Sequence, residues 1–202
     1  ASGALVDGDH IMAIAAVDLA HRGLLRNKGV AVTVMTNLGF HHTMRDNNID
    51  VVITPVGDRS ILVALDEYDF VLGGEQSGHV IHRAHATTGD GLLAALQLVE
   101  YITRSGVTLD QAASIMQSYP QILVNIRTLN RVHDPVHDIA EQIALAEAEL
   151  GDNGRILVRS SGTEPLVRVM VEAADQASAE SIAMRLAQSL VEIHGGSIEG
   201  TH

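Results

Sequence analysis

Between residues 9 and 22 the apolar positions fall at Ile11, Met12, Ala15, Ala16 and Leu19. Steps of three and four residues put them on one face of a helix, so a helix is expected there, with Asp9 as its N-cap and Gly23 as its stop. The β-branched run over residues 30–36 predicts a buried strand, and residues 38–47 a short helix. A second strand is expected over Asp50–Thr54, closed by Pro55. A helix over residues 59–68 and a third strand over residues 70–72 follow. Residues 89–104 form a strongly amphipathic stretch that ends at Gly106. Strands alternating with helices imply parallel pairing.

After Pro120 the order changes. A strand (122–128), a helix (135–150), two strands (155–159 and 166–172) joined by a tight loop, and a long helix (177–194) predict a small α+β unit with an antiparallel hairpin. The fold class is therefore α/β: a three-layer α/β domain with a mostly parallel sheet, followed by a small α+β domain with an antiparallel sheet. Residues 1–28 are expected to be the terminal helix of a truncated preceding domain, because a helix starting this early has little chain before it to pack against. Residues 29–118 form the α/β domain and residues 119–202 the α+β domain. The tail from Gly195 onward is expected to fray.

Composition narrows the classes of function. Thirteen basic residues against 25 acidic ones leave a net charge of −12, which opposes binding to a nucleic-acid backbone. Three Tyr, two Phe and no Trp leave little for base stacking. Cysteine is absent, so disulfides, thiol catalysis and cysteine metal sites are out. No apolar run reaches the ~18 residues of a membrane span. The first residues carry Asp7 where a secretory signal would be basic, and a cytoplasmic location is expected. Lys28 is the single lysine, so cationic recognition of an anion falls to arginine.

Four stretches could carry chemistry. Gly73-Gly74-Glu75-Gln76-Ser77-Gly78-His79 follows a strand, where open α/β sheets place their ligands. If extended, it points Glu75, Ser77 and His79 the same way, and that trio can donate to and accept from sugar hydroxyls. The plainer alternative is a glycine-rich turn with solvated polar groups. Arg159-Ser160-Ser161-Gly162-Thr163-Glu164-Pro165, with Arg168 beyond, joins hydroxyls and backbone N–H groups to two guanidinium forks, which suits a phosphate; an ordinary hairpin loop with surface arginines stays open. In Val56-Gly57-Asp58-Arg59, Asp58 is expected to cap the next helix. Arg59 opposes the helix dipole there and points to an anionic partner. Thr87-Thr88-Gly89-Asp90-Gly91 reads as a capped helix start. Eleven histidines invite a zinc site, but no set of three or four shows ligand spacing.

These stretches, in this order and together with Val6-Asp7-Gly8-Asp9-His10-Ile11-Met12 and Thr33-Val34-Met35-Thr36-Asn37-Leu38-Gly39, resemble the α-D-phosphohexomutase family, from residue 5 to residue 194. The resemblance is nearest to the branch acting on amino sugars, with glucose or mannose phosphates as the alternative. It implies a multidomain enzyme that interconverts the 6-phosphate and 1-phosphate of a hexose, using a phosphoserine in the first domain and Mg2+ on an Asp-rich loop in the second. The third domain would recognise sugar hydroxyls. The fourth, with a TATA-binding-protein-like fold, would grip the non-reacting phosphate. By resemblance, Glu75 and Ser77 bind sugar hydroxyls, and His79 and Arg59 lie near the reacting oxygens. Arg159, Ser160 (where the family usually has proline), Ser161, Gly162, Thr163 and Arg168 hold phosphate.

Neither the Thr-Ala-Ser-His-Asn-Pro serine motif nor the Asp-Gly-Asp-Gly-Asp-Arg metal loop occurs in the sequence. The expectation is thus the substrate-binding half of such an enzyme, with a hexosamine phosphate as partner, no metal ligands of its own and no activity alone. Neither nucleic acid nor membrane is expected as a partner, and homo-oligomerisation stays open. A stand-alone phosphosugar-binding module is the rival. Because pattern and topology both change near Pro120, limited proteolysis is expected to cut first between residues 116 and 122; uniform resistance with one cooperative transition would contradict that boundary.

Overall fold

The computed structural model describes Gly3 and residues 5–201. The chain divides into two units, residues 1–118 and 119–202.

The first unit holds helices α1 (Gly8–His21), α2 (Leu38–Asp46), α3 (Asp58–Glu67), α4 (Gly91–Ser105) and α5 (Leu109–Ala113), and strands β1 (Gly29–Thr33), β2 (Asp50–Thr54), β3 (Leu72–Gly74) and β4 (Val80–His82). The sheet order is β2-β1-β3-β4; β1 runs parallel to β2 and β3, and β4 is antiparallel to β3. Alternation along the central strand sets up two cores. Val30 and Val32 pack with Met12, Ala16, Phe40 and Met44 from α1 and α2. Ala31 faces the other way, onto Ile61, Ala64 and Leu65 of α3. Helices thus cover both faces of the sheet. The short strand β4 lacks a sequence signal because three residues cannot show a period.

Three expectations are corrected here. First, α1 is no remnant of another domain: Met12, Ala13, Ala16 and Val17 are built into the core of this unit. Second, Asp7 rather than Asp9 caps α1, accepting the His10 N–H at 3.1 Å. Asp9 lies within the first turn, fully buried, and its Oδ2 accepts the Asn37 N–H at 2.8 Å. Third, Asp58 is the first residue of α3 rather than its cap, which is Gly57. Asp90 does cap α4, accepting from the Leu93 N–H at 3.0 Å.

The second unit is an antiparallel sheet of order β6-β7-β5-β8, formed by β5 (Gln121–Arg127), β6 (Arg155–Ser160), β7 (Leu166–Glu172) and β8 (Ser197–Thr201). Helices α6 (Pro135–Asp138), α7 (Ala140–Leu150) and α8 (Gln176–His194) complete it. Val124, Ile126, Val158, Val167, Val169 and Val171 project from one face onto Ile182, Leu186 and Leu190 of α8. The helix expected over residues 135–150 is broken at Ile139, which leaves helical geometry and buries its side chain completely. Over the described residues the tail is ordered rather than frayed: β8 pairs with β5, and Glu199 forms an ion pair with Arg127. Among the described residues no helix is long and apolar enough to cross a membrane.

His82 ends β4 and is buried in the first unit. Burial first, and the nearby His85 second, hold its imidazole below the usual histidine range. Its folded-state pKa is depressed, so the unfolded chain binds more protons below about pH 6.5, and stability falls with falling pH. Thermal melts between pH 7.5 and pH 5 are expected to show a smaller loss of Tm in His82→Gln than in the parent; equal losses would assign the pH dependence elsewhere.

Candidate functional site

In the first unit the polar residues gather at the turn between β3 and β4. The Glu75 N–H donates to the His79 carbonyl at 3.1 Å and the Gly78 N–H to the Glu75 carbonyl at 2.9 Å. Gly78 takes a φ of +95°, a region that suits glycine. The stretch is therefore a tight hairpin turn, not the extended segment expected from alternation. The three side chains still converge, through the turn itself. Ser77 Oγ lies 3.3 Å from His79 Nδ1, and Glu75 Oε2 lies 3.7 Å from the same nitrogen. The other carboxylate oxygen, Oε1, accepts the Gly57 N–H at 3.0 Å, so the loop before α3 orients Glu75. Asp58 joins the group: one ligand atom from each of Asp58, Glu75 and His79 falls within 4.8 Å of the others. The sequence alone makes Asp58 a helix cap; only the folded chain, in which the loop after β2 reaches across β1 to Glu75, shows its place. Arg59 is exposed and lines the groove between β2 and α3, together with Thr54, Pro55 and Ser60.

The N-terminus of α1 supports this turn. The Gly8 N–H donates to the Gln76 carbonyl at 3.1 Å. A Cβ on Gly8 would lie 2.4 Å from the Glu75 carbonyl oxygen and 2.7 Å from both the Gln76 oxygen and the Gly78 nitrogen. The resemblance raises the question of Mg2+, and the Asp7-Gly8-Asp9 stretch does not fit it. Asp7 Oδ1 is engaged by the His10 backbone and, at 2.7 Å, by His10 Nδ1, while Asp9 is buried against Asn37.

In the second unit Arg159 and Arg168 are direct register partners on β6 and β7, and Asn125 of β5 is the next partner of Arg168. Val158 and Val169 face the helices, so alternation places this Arg-Arg-Asn row on the opposite face. Like charges directly opposite destabilise a strand pair by up to about 1 kcal/mol. Among the described residues neither guanidinium is in a salt bridge. Burial first, and the Arg168 charge second, push the Arg159 guanidinium down from the usual arginine range. An anion placed between the two would relieve both effects.

The loop after β6 lies at the end of this row. The Ser161 N–H donates to the Leu166 carbonyl at 2.7 Å, which closes the loop. Ser161 Oγ accepts from the Thr163 and Glu164 N–H groups at 3.4 Å, contacts long enough to be exchanged for a ligand oxygen. Arg131, which no sequence motif singles out, donates to the Gly162 carbonyl at 2.5 Å. Ser160 plays a different part. Its hydroxyl donates to the Val132 carbonyl at 2.7 Å, tying the loop before α6 to β6. It shares the helix-facing side of β6 with Val158, which turns it away from the arginine row.

Comparison with known proteins gives these sites a family. Domain III of phosphoglucomutase/phosphomannomutase, an alpha/beta/alpha domain, matches residues 7–119, and the C-terminal domain of the same proteins matches residues 123–189. The chain belongs to the phosphoglucomutase/phosphomannomutase family. It is 54% identical over 188 residues to a phosphoglucosamine mutase of Frankia casuarinae, covering 93% of this chain and 41% of that protein. A phosphoglucosamine mutase of Clavibacter michiganensis is 52% identical over 194 residues, covering 95% and 44%. The chain thus spans about two fifths of the length of these curated relatives, in agreement with a match to the third and C-terminal domains. The fold is shared with Aspergillus fumigatus N-acetylphosphoglucosamine mutase, solved in complex with GlcNAc-6P and magnesium, at a TM-score of 0.76 and 23% identity over 96% of this chain and 45% of that one.

The packing of Gly8 under the turn gives a direct test. Gly8→Ala is expected to destabilise the first unit by about 1–3 kcal/mol, the range for a forced contact in a packed site. It should also move the amide resonances of residues 75–79 while leaving those of residues 159–168 in place. Unchanged signals at the turn would show that the contact is not maintained in solution.

Proposed function

We propose that this chain is the substrate-recognising C-terminal part of a phosphoglucosamine mutase. The complete enzyme interconverts glucosamine 6-phosphate and glucosamine 1-phosphate, supplying UDP-N-acetylglucosamine and cell-wall synthesis in the cytoplasm. Glu75 and Ser77 accept and donate hydrogen bonds to the sugar hydroxyls. His79 and Arg59 serve the reacting end. Arg159, Arg168, Ser161, Thr163 and the Gly162 backbone hold a phosphate, and Asn125 extends that row. Ser160 acts by anchoring the loop rather than by touching the ligand.

The observation that carries this reading is the Arg159–Arg168 pair, two unneutralised guanidinium groups in direct register beside a hydroxyl-bearing loop. An arginine pair is wasteful for stability and apt for a dianion. Identity above 50% with phosphoglucosamine mutases over nearly the whole chain supports the amino sugar over glucose or mannose. Phosphoryl transfer needs a nucleophilic carrier and a neutralising cation. Here both belong to parts of the enzyme outside this chain, Mg2+ included, and the chain alone binds substrate without turning it over.

Titration with glucosamine 6-phosphate, followed by amide NMR, is expected to move residues 159–168 and 75–79. Arg168→Ala should weaken binding about tenfold, since one charge-assisted contact is worth ~1.5–3 kcal/mol and ~1.4 kcal/mol is one decade. Equal affinity of Arg168→Ala and the parent would remove the phosphate assignment. Turnover by the isolated chain in the presence of Mg2+ and a sugar bisphosphate would remove the division of labour.

A further inference from the structure

The convergence of Asp58, Glu75 and His79 supports more than hydroxyl recognition. All three sit at the ends of regular elements: Asp58 opens α3, Glu75 follows β3 and His79 precedes β4. Glu75 is already oriented by the Gly57 N–H through Oε1, which leaves Oε2 facing the imidazole at 3.7 Å. Two carboxylates and a neutral imidazole carry a charge of −2, matched to a divalent cation. A nitrogen donor among oxygens selects zinc-type cations over Mg2+ and Ca2+, which prefer oxygen alone. A tetrahedral ion at ~2.1 Å from each ligand holds them roughly 3.4 Å apart. The Glu75–His79 separation of 3.7 Å meets that within a few tenths of an ångström, and a ligand atom of the half-buried Asp58 lies within 4.8 Å of both.

We propose that Asp58, Glu75 and His79 form a three-ligand site for Zn2+ or a similar first-row cation, with its fourth position open to solvent or to an anion. Metal binding takes His79 Nδ1 from Ser77 and occupies Oε2 of Glu75. It therefore competes with the sugar hydroxyls, a consequence that rests on the sugar-binding role proposed above. The turn then works as an inhibitory metal sensor on the substrate-recognition loop.

The test titrates Zn2+ into the full 202-residue chain against a colorimetric zinc indicator, with millimolar Mg2+ present throughout. One zinc per chain is expected at this site. Asp58→Asn and His79→Asn should each weaken it at least tenfold, whereas His137→Asn, on the other unit, should leave it unchanged. Saturating zinc should reduce glucosamine 6-phosphate affinity at least tenfold in the parent, and a chelator should restore it. In Asp58→Asn, glucosamine 6-phosphate affinity should be the same with and without saturating zinc. Parent-like zinc affinity in both Asp58→Asn and His79→Asn, or unaltered sugar binding by the zinc-loaded chain, would overturn the proposal. Zinc binding through these residues in a chain that binds no phosphosugar would support the metal site and overturn the sugar reading instead. Circular dichroism of each variant confirms that the fold is retained.

Discussion

The seat of the β3–β4 turn on the N-terminus of α1 is the contact on which the first unit's chemistry depends. Gly8 offers no side chain, so the turn's backbone rests directly on the helix end. One residue on, Asp9 reaches through the core to the Asn37 N–H at the start of α2. A buried carboxylate is tolerated only when its hydrogen bonds are made, and losing them costs several kcal/mol. The constraint thus links three segments: the loop after β1, the loop after β3 and the first turn of α1. Glu75 and His79 inherit their positions from it. Their geometry comes from the interior beneath them rather than from the loop's own preferences.

The second unit reaches its binding geometry by a simpler rule. Each strand of the antiparallel sheet sends alternate side chains into the helix-covered core, and the same alternation commits Arg159, Arg168 and Asn125 to one row on the other face. Beyond the intervening row of Leu157, Met170 and Leu123, a second polar row on that face joins Arg155 to Glu172 at 2.9 Å and Gln121 to Glu172 at 2.9 Å, and it is self-neutralised. The contrast between the two rows separates a structural ion pair from a waiting cationic pair. The strands are alike in kind; only the presence of a carboxylate partner differs.

Much of this is legible in the chain. Periodicity locates β1, β2, β7, α4 and α8 within a few residues, because each is long enough to show its repeat. The polar clusters at residues 73–79 and 159–168 stand out because glycine, hydroxyl and arginine are combined where a plain turn needs only glycine. What escapes the sequence is non-local. The role of Asp9 depends on Asn37, 28 residues away. Asp58 looks like a cap until β3 is laid beside β1. Ser160 looks like a ligand of phosphate because spacing alone does not say which side of a strand a residue faces; in the fold it shares the side of Val158, and its hydroxyl donates to the Val132 carbonyl. The helix α1 looks like an orphan because its partners, Phe40, Met44 and Leu72, come later in the chain.

The pairing of β8 with β5 has a consequence for solubility. Without β8, the seven-residue strand β5, with Ile122, Val124 and Ile126 in it, would stand at the rim of the sheet with its backbone donors and acceptors bare. Such a rim invites pairing with strands of other molecules and growth into aggregates. The strand β8 instead covers it, and does so imperfectly: the register shifts between Asn125 and Ile126. That irregularity bends the outermost strand and gives the new rim a shape that a second copy cannot easily match. Residues 197–201 thus act as a guard for the sheet whose face opposite α8 carries the arginine row.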